Sequence, residues 1–399
     1  MTPSVLVDSS SHHLLNLGDV AMLQVCVSRL RESWPNASIG VVVDDEERLR
    51  RYCPDVDPVP AAGRYAWFRE PSATGKAFPR PRRTRLGLGR ARRSRRDPAL
   101  AAYLEALHDA DLFVLSGRGG FSDAFPDEAL VNLEELRLAK ALGARTAAMS
   151  LGVGPLSDPY LRRRAAAILP SVDLVAVRES TFSPGILTAL GVPAERIVTT
   201  GDDALAPLDS AADDAADAIG VNVRVVAYAG TTSEDVEALS SVVASLSAAL
   251  GAPLVPVPIS THPHEDDSAR LEDLGISGPA PSDPAGVIAL ARRCRVVVTG
   301  SYHAAVFALG QGIPAVCLAA SPYYELKFGG LRGMFGRWCE VVQLGAPDAF
   351  DQVRTLVARA HHAWPAPRRE LVAAAGLQVE AGVAAYKRLA ALELGGVRR

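Results

Sequence analysis

Short apolar runs alternate along the chain with longer stretches in which apolar residues recur three and four positions apart. The runs predict buried strands, and the periodic stretches predict amphipathic helices. Strands that are apolar throughout and separated by helices indicate parallel sheets covered on both faces. The predicted strands are Val5–Asp8, Ile39–Val43, Leu112–Leu115, Thr146–Ser150, Leu174–Val177, Ile197–Thr199, Ile219–Val223, Leu254–Pro258, Arg295–Thr299 and Ala315–Leu318. The main predicted helices are Asp19–Ser33, Pro98–His108, Glu128–Leu142, Ser233–Leu250, Pro284–Arg293 and His303–Gly310.

The alternation of predicted strands and helices is interrupted at Ser210–Asp217. This stretch is rich in Ala and Asp and lacks strand character, and we interpret it as an inter-domain linker. The fold class is therefore α/β, with two Rossmann-like doubly wound domains, residues 1–209 and 218–366, facing a cleft. Residues 367–399 are strongly helical and are expected to pack back across both domains. Ligands of such folds bind at the carboxyl ends of the strands, which places the expected site in the cleft.

A basic insert at residues 63–97 departs from the otherwise acidic chain. Arg64–Arg96 holds twelve Lys/Arg and one Glu, whereas the whole 399-residue chain carries a net charge of −3. Pro, Gly and like charges predict a solvated, mobile loop. The alternative is contact with a polyanionic acceptor or with an anionic membrane at its inner face.

Composition excludes several classes of protein. The hydrophobic share of 48% argues against disorder, and the net charge of −3 argues against a nucleic-acid binder. No apolar run is long enough to span a membrane, and the first residues lack the features of a secretory signal. Five scattered cysteines, without a Cys-x-x-Cys pair, fit a reducing, cytoplasmic setting.

Two turns that follow predicted strands carry candidate binding residues in the first domain. Asn16, Gly18 and Asp19 open a long helix, whose free N–H groups can bind an anion or a hydroxyl; a plain helix cap by Asp19 is the alternative. In the second turn, Gly117 and Gly119 flank Arg118, and the turn is predicted to project the guanidinium into the cleft.

The remaining candidates are charged residues near strand ends. Arg178 and Glu179 are predicted to pair with each other, while Arg224 is predicted to end a strand with its guanidinium in the cleft. His262 and His264 lie beside the three acids Glu265, Asp266 and Asp267 in a loop. Their spacing is a weak signal for a metal, and no metal or other cofactor is predicted.

His303 is the candidate catalytic residue. It lies where a buried strand turns into an apolar helix, so its ring is expected to face the cleft. The positive end of the helix dipole lowers the pKa of an imidazole, which suits general acid–base catalysis. The alternative is a core histidine that makes a single hydrogen bond.

Taken together, these motifs resemble the polysaccharide pyruvyl transferase family. The resemblance follows the chain in order through Asn16-x-Gly18-Asp19, Gly117–Gly120, Gly152-x-Gly154-Pro155, Val177–Ser180, Asp202-Asp203, Val221–Arg224, Asp266-Asp267, Ser301–Ala304, Phe307-Ala308, Gly312–Pro314, Tyr324 and Lys327.

The resemblance implies a glycosyltransferase-B-like architecture and transfer of a pyruvyl group from phosphoenolpyruvate to sugar hydroxyls of a glycan or its precursor. The product would be a pyruvate ketal, and phosphate would be released. His303 and Arg224 would be catalytic. The substrate-binding residues would be Asn16, Gly18, Asp19, Gly117, Arg118, Gly119, Arg178, Ser301, Tyr302 and Lys327.

One departure from the family pattern leaves more than one donor substrate compatible with the sequence. The family pattern around this histidine is Arg-x-His, and the first position here is Ser301. Two alternatives therefore stand beside pyruvyl transfer. One is a glycosyltransferase or other group transferase with a nucleotide-activated donor, and the other is a non-catalytic protein that binds a sugar or phosphate.

Overall fold

The computed structural model describes residues 2–68, 97–205, 217–226 and 228–394. Its strands are β1 Ser4–Ser9, β2 Ser38–Val43, β3 Asp57–Pro60, β4 Leu112–Ser116, β5 Arg145–Leu151, β6 Leu174–Val177, β7 Ile197–Thr199, β8 Ala218–Asn222, β9 Leu254–Pro256, β10 Cys294–Thr299, β11 Ala315–Ala319 and β12 Cys339–Gln343. Its α-helices are α1 Leu17–Ser33, α2 Glu46–Tyr52, α3 Ala61–Phe68, α4 Pro98–Asp109, α5 Pro126–Ala141, α6 Pro159–Ile168, α7 Ser183–Ala189, α8 Ser233–Leu250, α9 Asp267–Asp273, α10 Pro284–Ala291, α11 Tyr302–Gly310, α12 Pro322–Phe335, α13 Ala349–Ala363 and α14 Ala366–Ala390.

The strands form two sheets, and neighbouring strands in each are parallel. The first sheet has the order β3-β2-β1-β4-β5-β6-β7, and the second has the order β12-β11-β10-β8-β9. In the first sheet the strand order reverses between β1 and β4, and in the second between β8 and β10. Ligand crevices of doubly wound sheets lie at such switch points. The predicted two-domain, Rossmann-like α/β fold is confirmed.

Helices cover both faces of each sheet because the strands are apolar on both sides. Leu104 of α4 and Leu133 of α5 pack with Phe113 on one face of the first sheet, and Leu23 of α1 packs with Val5 on the other. The second sheet is covered in the same way by α8 and α13 on one face and by α11 and α12 on the other.

Helix α14 contacts elements of both halves of the chain. The first half carries the seven-stranded sheet, at residues 4–199, and the second half carries the five-stranded sheet, at residues 218–343. Its first turns bury Leu371 and Ala375 beside Phe307 of α11. Its last turns bury Leu389 beside α1, and the Tyr386 hydroxyl donates a hydrogen bond of 2.8 Å to Asp203. The helix therefore bridges the two sheets.

The prediction that the basic insert begins at residue 63 was wrong. Arg64 lies in α3 and is fully buried, and its guanidinium donates to Asp8 at 2.8 Å, Glu135 at 2.9 Å and Glu128 at 2.7 Å. A local charge count misses these partners because they come from β1 and α5. Asp97, at the other end, caps α4. Residues 69–96, and residues 210–216 of the predicted linker, lie outside the described part of the chain.

None of the described helices has the combination of length and apolar character needed to cross a membrane.

Candidate active site

A cavity of about 290 Å³ lies between the carboxyl ends of the two sheets. It is bordered by the turns that follow β1 and β4 in the first sheet and by those that follow β8 and β10 in the second. Both switch points therefore face the same cavity, as expected for a ligand site in this fold. The cavity brings together Asn16, Asp19, Gly117, Arg118, Gly119, Arg178, Arg224, Ser301, Tyr302, His303 and Lys327.

The start of α1 is tied to the second half of the chain. The Asn16 side chain accepts hydrogen bonds from the N–H groups of Gly18 at 3.0 Å and Asp19 at 3.2 Å, and thus caps the helix. The cap is Asn16, and not Asp19 as the alternative held. The Leu17 N–H donates to the Ile259 carbonyl at 2.9 Å, which fixes this turn against the loop after β9.

Gly18 allows His303 to approach the start of α1. A Cβ atom at position 18 would lie 2.0 Å from the imidazole Cγ and 2.2 Å from Nδ1. No side chain larger than hydrogen fits at that distance. The histidine, which belongs to the second half, therefore packs directly on the backbone of the first.

His303 is a buried, neutral imidazole. Its Nε2 has no hydrogen-bond partner among the described residues and lies 4.0 Å from Asp202 Oδ2. Burial lowers the pKa of His303 well below its usual value, and the charges of Arg178, Lys327 and Arg224 lower it further. Burial is thus the main cause of the lowered pKa. The imidazole therefore has an unprotonated ring nitrogen near pH 7, and a bound anion that offset the three cations would raise its basicity.

Arg178 offers an unpaired donor to the cavity. Its Nη1 donates to Asp202 at 3.2 Å, and its guanidinium carbon lies 4.1 Å from the centre of the Tyr302 ring. Its Nη2 is buried, and no described residue accepts a hydrogen bond from it. The predicted pairing with Glu179 was wrong, because that carboxylate accepts the N–H groups at the start of α7.

Lys327 is a second cation without a carboxylate partner within salt-bridge distance in the described chain. Its Nζ donates to the Tyr323 hydroxyl at 3.0 Å and lies 4.9 Å from the centre of the Tyr302 ring. Burial, together with the charge of Arg178, lowers the pKa of Lys327. A bound anion would satisfy both cations and offset this effect.

Gly119 keeps the turn after β4 close to these two cations. A Cβ atom there would lie 2.9 Å from Arg178 Nη2 and 3.2 Å from Lys327 Nζ. The Tyr323 hydroxyl donates to the Gly119 carbonyl at 3.1 Å, which joins α12 to the first sheet. Gly117 adopts a φ of +62° against Met22, a conformation that glycine accommodates without strain.

Arg224 lies in the cavity but is already neutralised. Its Nη2 donates to Glu265 at 2.5 Å and to the Tyr228 hydroxyl at 2.8 Å, while its Nη1 donates to Asp267 at 3.3 Å. Burial lowers the pKa of Arg224, but the charge of Asp267 and the contact with Tyr228 outweigh it and raise that pKa. Two acidic partners leave it less available to an incoming anion than Arg178 or Lys327.

The Arg118 guanidinium, which was predicted to project into the cleft, is bound by two carboxylates of the protein. Although Arg118 borders the cavity, its guanidinium turns into the protein and donates to Asp8 at 2.5 Å, Glu128 at 2.6 Å and the Ser9 carbonyl at 2.6 Å. The guanidinium is thus bound by Asp8 and Glu128. Nothing in the sequence spacing indicates that these two carboxylates lie near the turn.

Ser301 and Asp19 complete the polar lining. Ser301 borders the cavity, and its N–H donates to Thr299 Oγ1 at 2.8 Å. Burial raises the pKa of Asp19 to about 6, against the opposing effects of Ser10 and the nearby cations. Sequence reasoning missed the cavity residues Phe125, Tyr228 and Tyr323, which have no motif of their own.

The histidine and acid loop after β9 has a structural role. The His262 and His264 ring centres are 5.7 Å apart, but Asp266 caps α9 and Asp267 binds Arg224. The part of the chain that the structure describes contains no group of three or more side chains arranged to hold a metal ion.

Paired Rossmann-like sheets around one cleft define the glycosyltransferase-B-like class, and comparison with solved structures supports this assignment. A putative UDP-N-acetylglucosamine 2-epimerase from Listeria monocytogenes is 12% identical with a TM-score of 0.59, over 98% of this chain and 96% of that one. The glycotransferase of kitacinnamycin is 14% identical with a TM-score of 0.54, over 97% and 98%. A glycosyltransferase from Rickettsia africae is 10% identical with a TM-score of 0.54, over 98% and 100%. At these identities the similarity shows the fold alone.

The family follows from the sequence comparison. The model of the polysaccharide pyruvyl transferase family matches residues 16–322. The chain therefore belongs to this family and is a transferase, as the ordered motifs predicted. No curated protein sequence shows a significant match.

Proposed function

We propose that this protein transfers a pyruvyl group from phosphoenolpyruvate to hydroxyls of a sugar in a cell-surface glycan or its precursor. One observation carries the proposal. Arg178 and Lys327 line the same cavity as the neutral His303. The Nη2 of Arg178 is buried without a partner among the described residues, and Lys327 has no carboxylate partner among them. A small dianionic or trianionic donor matches that arrangement of charges.

The two cations suit the two anionic groups of phosphoenolpyruvate. Its carboxylate and phosphate are close together, so a site needs at least two positive charges at short range. Arg178 and Lys327 both approach Gly119, where an added Cβ atom would lie 2.9 Å from Arg178 Nη2 and 3.2 Å from Lys327 Nζ. This pair compensates for Ser301, which stands where the family has an arginine.

His303 has the protonation state required to activate the acceptor. In ketal formation, one sugar hydroxyl adds to C2 of the donor while C3 gains a proton, and a second hydroxyl then displaces phosphate from C2. The two hydroxyl protons end on C3 and on the phosphate, so the atoms balance. His303 would remove the first proton, and Asp202, 4.0 Å away, would stabilise the imidazolium that forms.

Calorimetry with alternative donors tests the proposal. We expect phosphoenolpyruvate to bind and Arg178→Gln to weaken its binding by at least tenfold, because a charge-assisted hydrogen bond is worth about 1.5–3 kcal/mol. Arg163→Gln, at an exposed position on α6, is the matched control and should leave binding unchanged. Binding of UDP-glucose or UDP-N-acetylglucosamine without binding of phosphoenolpyruvate would support a nucleotide-dependent transferase instead.

The charge of residues 69–96, with eleven Lys/Arg and one Glu, supports an additional contact with an anionic acceptor or membrane surface. Such a contact would be screened by salt.

A further inference from the structure

One wall of the cavity is aromatic and joins the two halves of the chain. Phe125 precedes α5 in the first half, and Tyr228 follows β8 in the second. Their rings meet edge to face with centres 4.9 Å apart, and Phe125 makes a similar contact of 5.4 Å with Tyr323. Phe125 and Tyr228 are half-buried and line the cavity, so ring surface remains available to a ligand.

Charge differs between this wall and the rest of the cavity. Arg178 and Lys327 have cationic groups that can bind an anion, whereas the Arg224 charge beside Tyr228 is compensated by Glu265 and Asp267. A second anion is therefore poorly matched to the aromatic wall. A neutral ligand is well matched to it.

The carboxylate of Glu265 adds a hydrogen-bond acceptor next to the rings. Its Oε2 accepts from Arg224 at 2.5 Å and lies 3.5 Å from the Tyr228 hydroxyl. The side chain retains 30% of its exposure, so the carboxylate remains accessible from the cavity. An aromatic face beside an accessible carboxylate matches a pyranose ring, which has an apolar C–H face and hydroxyls around its edge.

We propose that Phe125 and Tyr228 form the platform on which the acceptor hexopyranose binds, with Glu265 accepting a hydrogen bond from one of its hydroxyls. This inference rests on the proposed function, because it assigns the sugar to one wall and the anionic donor to the other. The platform consists of one ring from each half of the chain. The sugar site is therefore complete only when the two sheets are in the arrangement described.

Saturation-transfer NMR on the full chain tests the platform without turnover. The probes are methyl β-D-galactopyranoside, methyl β-D-glucopyranoside and methyl α-D-mannopyranoside, each with and without phosphoenolpyruvate. We expect at least one glycoside to receive saturation at its ring C–H protons. Phe125→Ala and Tyr228→Ala should reduce that signal at least tenfold, and Glu265→Gln should reduce it less.

Two controls separate this inference from packing and from donor binding. Phe350→Ala removes a half-buried ring of the same size from α13, which does not line the cavity, and should leave the signal unchanged. The Kd of phosphoenolpyruvate should stay within about twofold in Phe125→Ala. The platform is refuted if no glycoside gives a signal with the unmodified protein, or if the signal persists in both aromatic variants. A glycoside signal without phosphoenolpyruvate binding would instead refute the donor and leave the platform standing.

Discussion

Gly18→Ala gives a sharp test of the contact between the two halves of the chain. The added methyl would lie 2.0 Å from Cγ, 2.2 Å from Nδ1 and 2.4 Å from Cβ of His303. The contacted atoms include the Cβ and the ring base, so rotation of a flexible end cannot relieve the overlap. Either the imidazole or the start of α1 must move by about 1 Å or more.

The expected cost exceeds the gain from helix propensity. Alanine in place of glycine favours a helix by at most about 1 kcal/mol, whereas overpacking a filled site costs about 1–3 kcal/mol. For a chain of this length, a change of 1 kcal/mol shifts the Tm by roughly 1 °C. We therefore expect a fall of a few degrees at most. Displacing a reacting group by about 1 Å is expected to lower turnover about 10²-fold.

The assay is phosphate release at saturating donor and acceptor, together with a thermal melt. Gly120→Ala and Gly376→Ala are matched controls, because a Cβ at either position has no neighbour within 4 Å. Gly120 lies in the turn beside the cavity and Gly376 lies within α14, where alanine should stabilise the helix. Turnover of Gly18→Ala within threefold of the unmodified enzyme would refute the close contact on which this reasoning depends.

Two further predictions concern buried titratable groups. His303→Ala and His303→Asn should both lower turnover by about 10²–10⁴-fold without unfolding the protein, since neither side chain can exchange a proton near pH 7; turnover close to normal in the Asn variant would exclude proton transfer by this residue. Burial raises the pKa of Glu135 to about 8, so the folded state holds a proton that the unfolded state releases above about pH 4.5. This group therefore costs about 1.4 kcal/mol of stability per pH unit as the pH rises from about 5 to 8. Glu135→Gln should therefore make the unfolding free energy depend less on pH over that interval. If urea titrations at several pH values give the same pH dependence for the variant and the unmodified protein, the assignment is contradicted.

Most of the fold could be predicted because its signals are local. The ten predicted strands are all present, since continuous apolar runs are hard to bury in any other way between helices. The strands missed were β3 and β12, which lie at the sheet edges. Edge strands are buried less completely, and β3 reads Asp-Pro-Val-Pro, a sequence typical of a loop.

The site was harder to predict because pairing between charges is not local. Arg118 and Arg178 both follow strands of the first sheet, and their surroundings in sequence are similarly polar. Arg118 donates to two carboxylates, Asp8 and Glu128, whereas Arg178 donates to Asp202 alone. Each keeps one guanidinium nitrogen without a partner among the described residues, Nε in Arg118 and Nη2 in Arg178. Nothing in the spacing distinguishes them, since their partners come from other elements. The burial of Arg64 was missed for the same reason.

The origin of each side chain shows why the site depends on both halves of the chain. Arg178 comes from the first half and Lys327 from the second, yet both approach the same point at Gly119. His303 comes from the second half and packs on Gly18 of the first. A separation of the sheets by even a few ångströms would pull the two cations apart and expose the imidazole to water. Exposure would remove the main cause of the lowered pKa of His303, which is burial. The spacing of the proposed anion-binding pair and the pKa of the proposed base therefore depend on the same inter-domain contact.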